Sequence, residues 1–384
     1  MPATAFQEPR FGGEFGLWVV ERGDSTVVGW LTRDRAPGIL KVGTGDRVRH
    51  ELTTPDSLAH RSAFRTPADD ELVLEYGARG DPSDSHRTVI RTAAPRRARV
   101  SMGAVDSLFV VGDVHGEFDR LVQLLGNAGL VGPDLGWTGG GKHLVFVGDL
   151  ADRGPDVVGT LWLIYRLERE AERAGGGVHV VLGNHEIMVM LDDLRYVAPK
   201  EAEIARRHGV GYDRMFDPRQ SILGRWLVSK PALLRVGGVL LAHGGASPHI
   251  LPLELEAFDD SLARFTSEDL FYLWADTTYL APLDSASFVR RDDFFWGEES
   301  VFWYRGWVQA DTLAEELGAV LDHFDADLHV VGHTPLPGIS VRYGGSLIAT
   351  NTVPFANEML LLVREGDDYR RWRIPLSGPP EPLR

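Results

Sequence analysis

The chain is 384 residues long, 43% of them hydrophobic, with a formal net charge of −15. That length accommodates two domains or one large one around a real core, and so acidic a balance argues against a chain whose main business is gripping nucleic acid or an anionic membrane. Cysteine is absent, which excludes disulfides and thiolate metal sites and leaves His, Asp, Glu or Asn to hold any metal.

The N-terminus, MPATAFQEPRFGGEF, lacks a basic start leading into an apolar run, and no stretch approaches the roughly 18 apolar residues of a membrane span. A soluble, cytoplasmic protein is expected. Up to about residue 98, short runs rich in Val, Trp, Tyr and Thr (GLWVVE, TVVGWLT, GILKVG, ELVLEYG, RTVIRT) alternate with Gly, Pro and Asp. Such spacing predicts an antiparallel β-sandwich. The stretch TAAPRRARVSMGA (92–104) reads as a linker.

Beyond it, strands alternate with helices. LFVVGD leads into EFDRLVQLLGNAGL, where Phe118, Leu121, Leu124, Leu125 and Ala128 fall at the spacing of one packed helix face. HLVFVGD leads into PDVVGTLWLIYRLEREAERAG, with Pro155 tolerated in a first turn and Gly175 stopping the helix. VHVVLGN leads into HEIMVMLDDL. The alternation predicts α/β layering, in which ligands gather at the carboxyl ends of strands.

Five polar clusters sit at the ends of apolar runs: GDVHG (112–116), GDLADRG (148–154), GNHE (183–186), AHGG (242–245) and VVGHTP (330–335). A binuclear site needs hard oxygen and imidazole ligands converging from several loops, with one carboxylate able to touch both ions. Asp113, His115, Asp149, Asn184, His243 and His333 supply such a set. Gly112 and Gly116 permit a tight turn around the first two.

These clusters, in this order over roughly residues 107–355, resemble the metallophosphoesterase superfamily and, within it, the phosphoprotein phosphatase family. GNHEIMVMLDDLRYV and FWYRGW look like the bacterial Shewanella-like branch, and the strand spacing before residue 98 looks like a fibronectin type III or immunoglobulin-like domain. The resemblance implies a calcineurin-like αββα sandwich over 99–384 behind an all-β domain over 1–98. It also implies two divalent ions, Mn with Fe or Zn as alternatives. By the family pattern Asp113 and His115 hold the first ion, Asn184, His243 and His333 the second, and Asp149 bridges. Asn184 then also borders the substrate.

Hydrolysis of a phosphomonoester needs a nucleophile, charge neutralisation and a proton for the leaving oxygen. Two cations roughly 3.5–4 Å apart can hold a bridging hydroxide for in-line attack, with no covalent enzyme intermediate. Arg153 offers a planar fork for phosphate oxygens, the role the family pattern gives it; a surface ion pair with Asp152 is the alternative. The same pattern makes His185 the general acid, oriented by Asp152. Arg305, in WYRGW, is either a second phosphate-binding arginine or a cation–π partner of Trp303, Tyr304 and Trp307.

His179 and His329 lie inside apolar strands and read as core. GWTGGGKH (136–143) lacks the Walker spacing and reads as a loop. The aromatics of 261–282 suit either packing or a groove wall. IATNTVPF stands where the eukaryotic serine/threonine members carry SAPNYC, so specificity does not transfer. The expected substrate is a phosphorylated protein, at phosphotyrosine or phosphoserine/threonine. The alternative is a small phosphoester or dinucleoside polyphosphate, and a silent binding protein on this fold is a third reading.

Overall fold

The computed structural model describes residues 16–266 and 293–384, apart from 46, 94 and 367; residues 267–282 of the aromatic stretch lie outside them. The N-terminal strands are β1 (Trp18–Arg22), β2 (Ser25–Thr44), β3 (Arg47–Arg65), β4 (Glu71–Ala78) and β5 (Ser85–Arg91). Strands are present along the N-terminal segment as expected, but the expected two-sheet sandwich is not what they form: they hydrogen-bond into one antiparallel sheet, β1-β2-β4-β5, with β3 on β2. One long β2 does the work of two strands: Ser25–Gly29 pair with β1 and Gly38–Gly43 with β4, while β3 follows both stretches through three register shifts. Bulges of this kind bend a strand and sharpen its twist.

The segment read as a linker is tied down. Ala98 N donates to Ser229 O at 2.9 Å, Arg97 pairs with Asp259, and β6 (Ser101–Met102) joins a sheet of the second part. There β7 (Ser107–Val111), β8 (His143–Phe146) and β9 (Gly177–Val180) run parallel and continue a six-stranded sheet with β15 (Glu358–Glu365), β16 (Asp368–Pro375) and β17 (Glu381–Pro382). The strands β10 (Leu233–Val236), β11 (Val239–Ala242), β12 (Leu328–Val331), β13 (Ser340–Arg342) and β14 (Leu347–Ala349) form with β6 the second six-stranded sheet, in the order β13-β14-β12-β11-β10-β6. Alternate residues of the two sheets, Leu108, Val110, Val145 and Val147 against Leu234, Leu241, Val330 and Ile348, share one buried cluster. This is the facing of two sheets by period-two side chains.

Helices cover the outer faces. α1 (Phe118–Asn127) buries Phe118, Leu121, Val122, Leu124 and Leu125, the three-four face of an amphipathic helix. α2 (Val157–Arg173) is buried at every residue from Val157 to Ile164. A helix buried all round needs cover on both sides, and the N-terminal sheet supplies the second. Trp162 Nε1 donates to Leu17 O at 2.9 Å, Tyr165 Oη accepts from Arg91 N at 2.9 Å, and Arg169 pairs with Glu71. Further on, α3 (Asn184–Met190), α4 (Pro199–His208) and α5 (Ile222–Val228) continue the same core, in which Trp18, Trp30 and Leu72 are joined to Trp162, Ile204 and Trp226. His208 at the end of α4 bonds Gly16 O at 2.6 Å. No helix of the described residues is long and apolar enough to cross a membrane.

Candidate active site

The clusters singled out in the sequence converge at one end of the two facing sheets. Asp113 and His115 follow β7, Asp149 to Arg153 follow β8, Asn184 and His185 open α3 after β9, His243 follows β11 and His333 follows β12. All six expected metal ligands are buried, as are His185 and Asp152. The expected turn glycines serve two different needs. Gly116 is left-handed at φ 65°, whereas a Cβ on Gly112 would stand 2.3 Å from Thr350 O.

Asp149 is the common member of two ligand groups, His115–Asp149–His185 and Asp149–His243–His333, in each of which the candidate atoms lie within 4.8 Å of one another. One carboxylate oxygen faces each side: Oδ2 is 3.6 Å from His115 Nε2 and 3.8 Å from His185 Nε2, and Oδ1 is 3.1 Å from His243 Nε2. Asp113 Oδ2 stands 3.8 Å from His115 Nε2, and Asn184 Oδ1 stands 3.0 Å from His243 Nε2.

The imidazoles are oriented from behind, His115 through Nδ1 to Ala151 O at 2.8 Å and His243 through Nδ1 to Val147 O at 2.7 Å. Each therefore turns its Nε2 inward, the arrangement by which outer hydrogen bonds fix a ligating histidine. Asp113 accepts from His333 N at 3.0 Å and from Asn351 Nδ2 at 2.6 Å.

The set fits hard divalent ions. His115 Nε2 and His333 Nε2 are buried without a hydrogen-bond partner among the described residues, and such atoms cost free energy unless something engages them. Burial and neighbouring Asp149 push Asp113 up to about 7, while burial pushes His115 down to about 3. Burial opposes charge on His243, yet Asp149 and Asp113 raise it to about 9. A site that draws a proton onto a fully buried imidazole has a field suited to cations.

His185 belongs to the first ligand group by distance, but both its ring nitrogens have other partners. Nδ1 meets Asp152 Oδ2 at 2.7 Å and Nε2 meets Arg153 Nη2 at 3.1 Å. Burial works against protonating it, and Asp149 and Asp152 outweigh burial and raise it above the usual imidazole value. Asp152 thus pairs with His185. Arg305 donates to His333 O at 3.3 Å, and Asp113 and Asp149 are among the charges acting on it. Trp303 and His333 form one T-shaped ring pair and Tyr304 and Trp307 another. His329 is a core histidine, bonded to Leu240 O and Ala246 N; His179 stacks on His143 with the planes 2° apart.

Several contributors carry no plain signal in the sequence. Glu186 is completely buried, and its carboxylate accepts from Asp149 N (2.9 Å), Leu150 N (2.7 Å), Ala151 N (3.0 Å) and Gly183 N (2.8 Å). It lies in the first turn of α3, reaching back as a capping-box Glu does, and that position was its one available clue. His115, Asp149, Asp152, Arg153 and His333 all have left-handed backbones, with φ between 48° and 67°. Such conformations cost about 1–3 kcal/mol each and persist where the surroundings over-determine them, typically at functional sites. Tyr196 and Phe355 also reach the site, against His185 and His115 respectively.

A family model described as calcineurin-like phosphoesterase matches residues 107–337. Shewanella-like protein phosphatase 2 of Arabidopsis thaliana is 42% identical over 138 residues, which cover 35% of this chain and 33% of that one. The chain thus spans about a third of that relative's length. Shewanella-like protein phosphatase 1 of Plasmodium berghei is 28% identical over 272 residues, 68% of this chain and 69% of that one. A solved structure, the cold-active protein-tyrosine phosphatase of a psychrophile Shewanella sp., shares the fold with a TM-score of 0.75 at 24% identity, over 96% of this chain and 98% of that one.

Proposed function

The chain belongs to the calcineurin-like phosphoesterase family, with Shewanella-like phosphatases among its relatives, and on that premise we propose a phosphoprotein phosphatase that hydrolyses phosphomonoesters at a binuclear metal site. The observation that carries this reading is Asp149, whose two oxygens face two separate ligand groups. Asp113 and His115 would hold one ion, Asn184, His243 and His333 the other, and Asp149 both. Two such ions would supply an activated water and neutralise the phosphoryl oxygens.

The chain's own groups do the rest. Arg153 and Arg305 bind phosphate oxygens, and Asn184 borders the substrate. His185 delivers the proton to the leaving oxygen, its Nδ1 held by Asp152 at 2.7 Å. What supports placing His185 beside the phosphate rather than on a metal is its Nε2, which meets Arg153 Nη2 at 3.1 Å, whereas the Nε2 of His115 is buried without a hydrogen-bond partner among the described residues. Residues 1–98 contribute none of these groups, and we place the domain boundary there. The names of the relatives support a protein substrate.

The test is restoration of metal-stripped protein ion by ion, against phosphotyrosine, phosphoserine and phosphothreonine peptides, nucleotides and diadenosine tetraphosphate. With only oxygen and imidazole donors, Mn²⁺ should restore turnover, with Fe or Zn as alternatives. At least one phosphopeptide should have the highest kcat/KM. Unchanged turnover after exhaustive chelation would remove the binuclear reading, and a preference for the dinucleotide would transfer the assignment to small phosphoesters.

A further inference from the structure

Two aromatic rings from different loops lie against the Arg153 guanidinium. The ring of Tyr196, between α3 and α4, lies 5.4 Å from it, and that of Phe355, between β14 and β15, lies 5.5 Å away. Both loops are fixed from behind. Tyr196 O accepts from Arg153 N at 2.8 Å. Just beyond, Lys200 pairs with Asp156 at 3.2 Å, and Glu201 accepts from Val157 N at 3.0 Å. Phe355 O accepts from Arg120 Nε at 3.0 Å, and Arg120 Nη2 donates to Asn357 Oδ1 at 2.8 Å. The same rings face two site histidines, Tyr196 against His185 with centroids 5.2 Å apart and Phe355 against His115 at 4.4 Å.

A guanidinium stacked on a ring keeps the N–H fork along its edges available, and a fork held in one plane loses less freedom when it takes a bidentate anion. The backbone of Arg153 is left-handed at φ 63°, so the residue starts from an unfavoured conformation that its neighbours must maintain. Tyr196 maintains it twice, through its carbonyl and through its ring.

We propose that Tyr196 and Phe355 are positioning residues that clamp the Arg153 guanidinium and thereby set the affinity for the phosphate group of the substrate. The inference rests on the assignment of Arg153 to phosphate made above. It requires the faces of the rings and not the Tyr196 hydroxyl. The clamp is open to solvent on one side, since Tyr196 is 43% exposed and its loop neighbour Leu194 37%. Tyr196 can therefore be changed without opening the core.

The experiment is equilibrium binding of inorganic phosphate to the full-length, Mn²⁺-loaded protein by calorimetry, with the metal content of each variant measured. Tyr196→Leu and Phe355→Leu should weaken phosphate by about 5- to 20-fold, the scale of losing one partly desolvated cation–π contact, with two ions retained. Tyr196→Phe should stay within about twofold of wild type. Arg153→Ala should lose at least as much as Tyr196→Leu, and adding Tyr196→Leu to it should cost less than about twofold more, because a residue acting through another is not additive with it. Additive losses, wild-type affinity in Tyr196→Leu, or a Tyr196→Phe as weak as Tyr196→Leu would overturn the clamp. If Phe355→Leu loses an ion, the Tyr196 series decides alone. Binding needs no turnover, so the two ideas fail separately. A wild type that binds phosphate but cleaves no phosphomonoester ends the proposed function, while one that binds no phosphate ends both.

Discussion

At the scale of single residues, substitutions at Asp149 and His185 test separately the proposed roles of holding metal and moving a proton. Asp149→Asn should be the most damaging ligand substitution, because the carboxylate it removes faces both ligand groups. Metal analysis should find fewer than two ions per chain and turnover close to background; two ions with full activity would refute the assignment. His185→Asn should keep both ions while slowing hydrolysis by about 10²- to 10⁴-fold, the usual scale of general acid catalysis. The loss should shrink for an aryl phosphate with an acidic phenol and be largest for phosphoserine, whose alkoxide needs a proton. Asp152→Asn should repeat that dependence in weaker form, since it takes only the partner 2.7 Å from Nδ1. Equal slowing of good and poor leaving groups would make His185 a ligand or a phosphate binder.

At the scale of elements, the start of α2 is held by a carboxylate from α4. Glu201 is buried and accepts from Val157 N and Val158 N at 3.0 and 3.4 Å, with Asp156, Lys200 and Tyr212 around it. Burial and then Asp156 push Glu201 up to about 8, and burial pushes Asp156 to about 7. A carboxyl whose folded value exceeds its unfolded one binds its proton more tightly when folded. Its contribution is therefore whole below the unfolded value and is lost as pH rises through the folded one. Glu201→Gln has no charge to bury, so wild-type protein should lose melting temperature relative to this variant between pH 5 and pH 9. At about 1.4 kcal/mol per unit the difference is at most a few kcal/mol. A constant difference across that range would mean that Glu201 is ionised throughout.

The elements also show what the sequence made legible. Each expected ligand ends an apolar run, because a strand end is where a short polar cluster can leave a sheet and still be aimed, so Asp113, Asp149, Asn184, His243 and His333 could be read in order along the chain. Glu186 could not be read in this way. Its part depends on amides from residues 149–151, which no local pattern brings to it. The left-handed backbones of His115 and Arg153 are likewise imposed by tertiary packing on residues with no preference for them. The N-terminal strands were readable from their β-formers and turns, but their union in one sheet depends on β2 pairing with both β1 and β4, a long-range choice.

At the scale of the whole molecule, the boundary we place near residue 98 divides the chemistry but not the core. A chain beginning at Arg99 would uncover the faces of α2, α4 and α5 that meet Leu17, Trp18 and Val20, and a newly exposed apolar surface of that kind promotes association. We expect that truncate to aggregate, or to melt several degrees below the full chain, given about 1–2 °C per kcal/mol at this size. A soluble truncate of unchanged melting temperature would show the two parts to be energetically separate. The double cover of α2 has a further outcome in calorimetry. Chains whose domains merely touch commonly unfold in successive steps, but here the helix that follows Arg153, α2, cannot keep its packing once the first sheet departs. The full-length protein should therefore give one endotherm, and the slowest-exchanging amides of β2 and of α2 should report the same opening free energy.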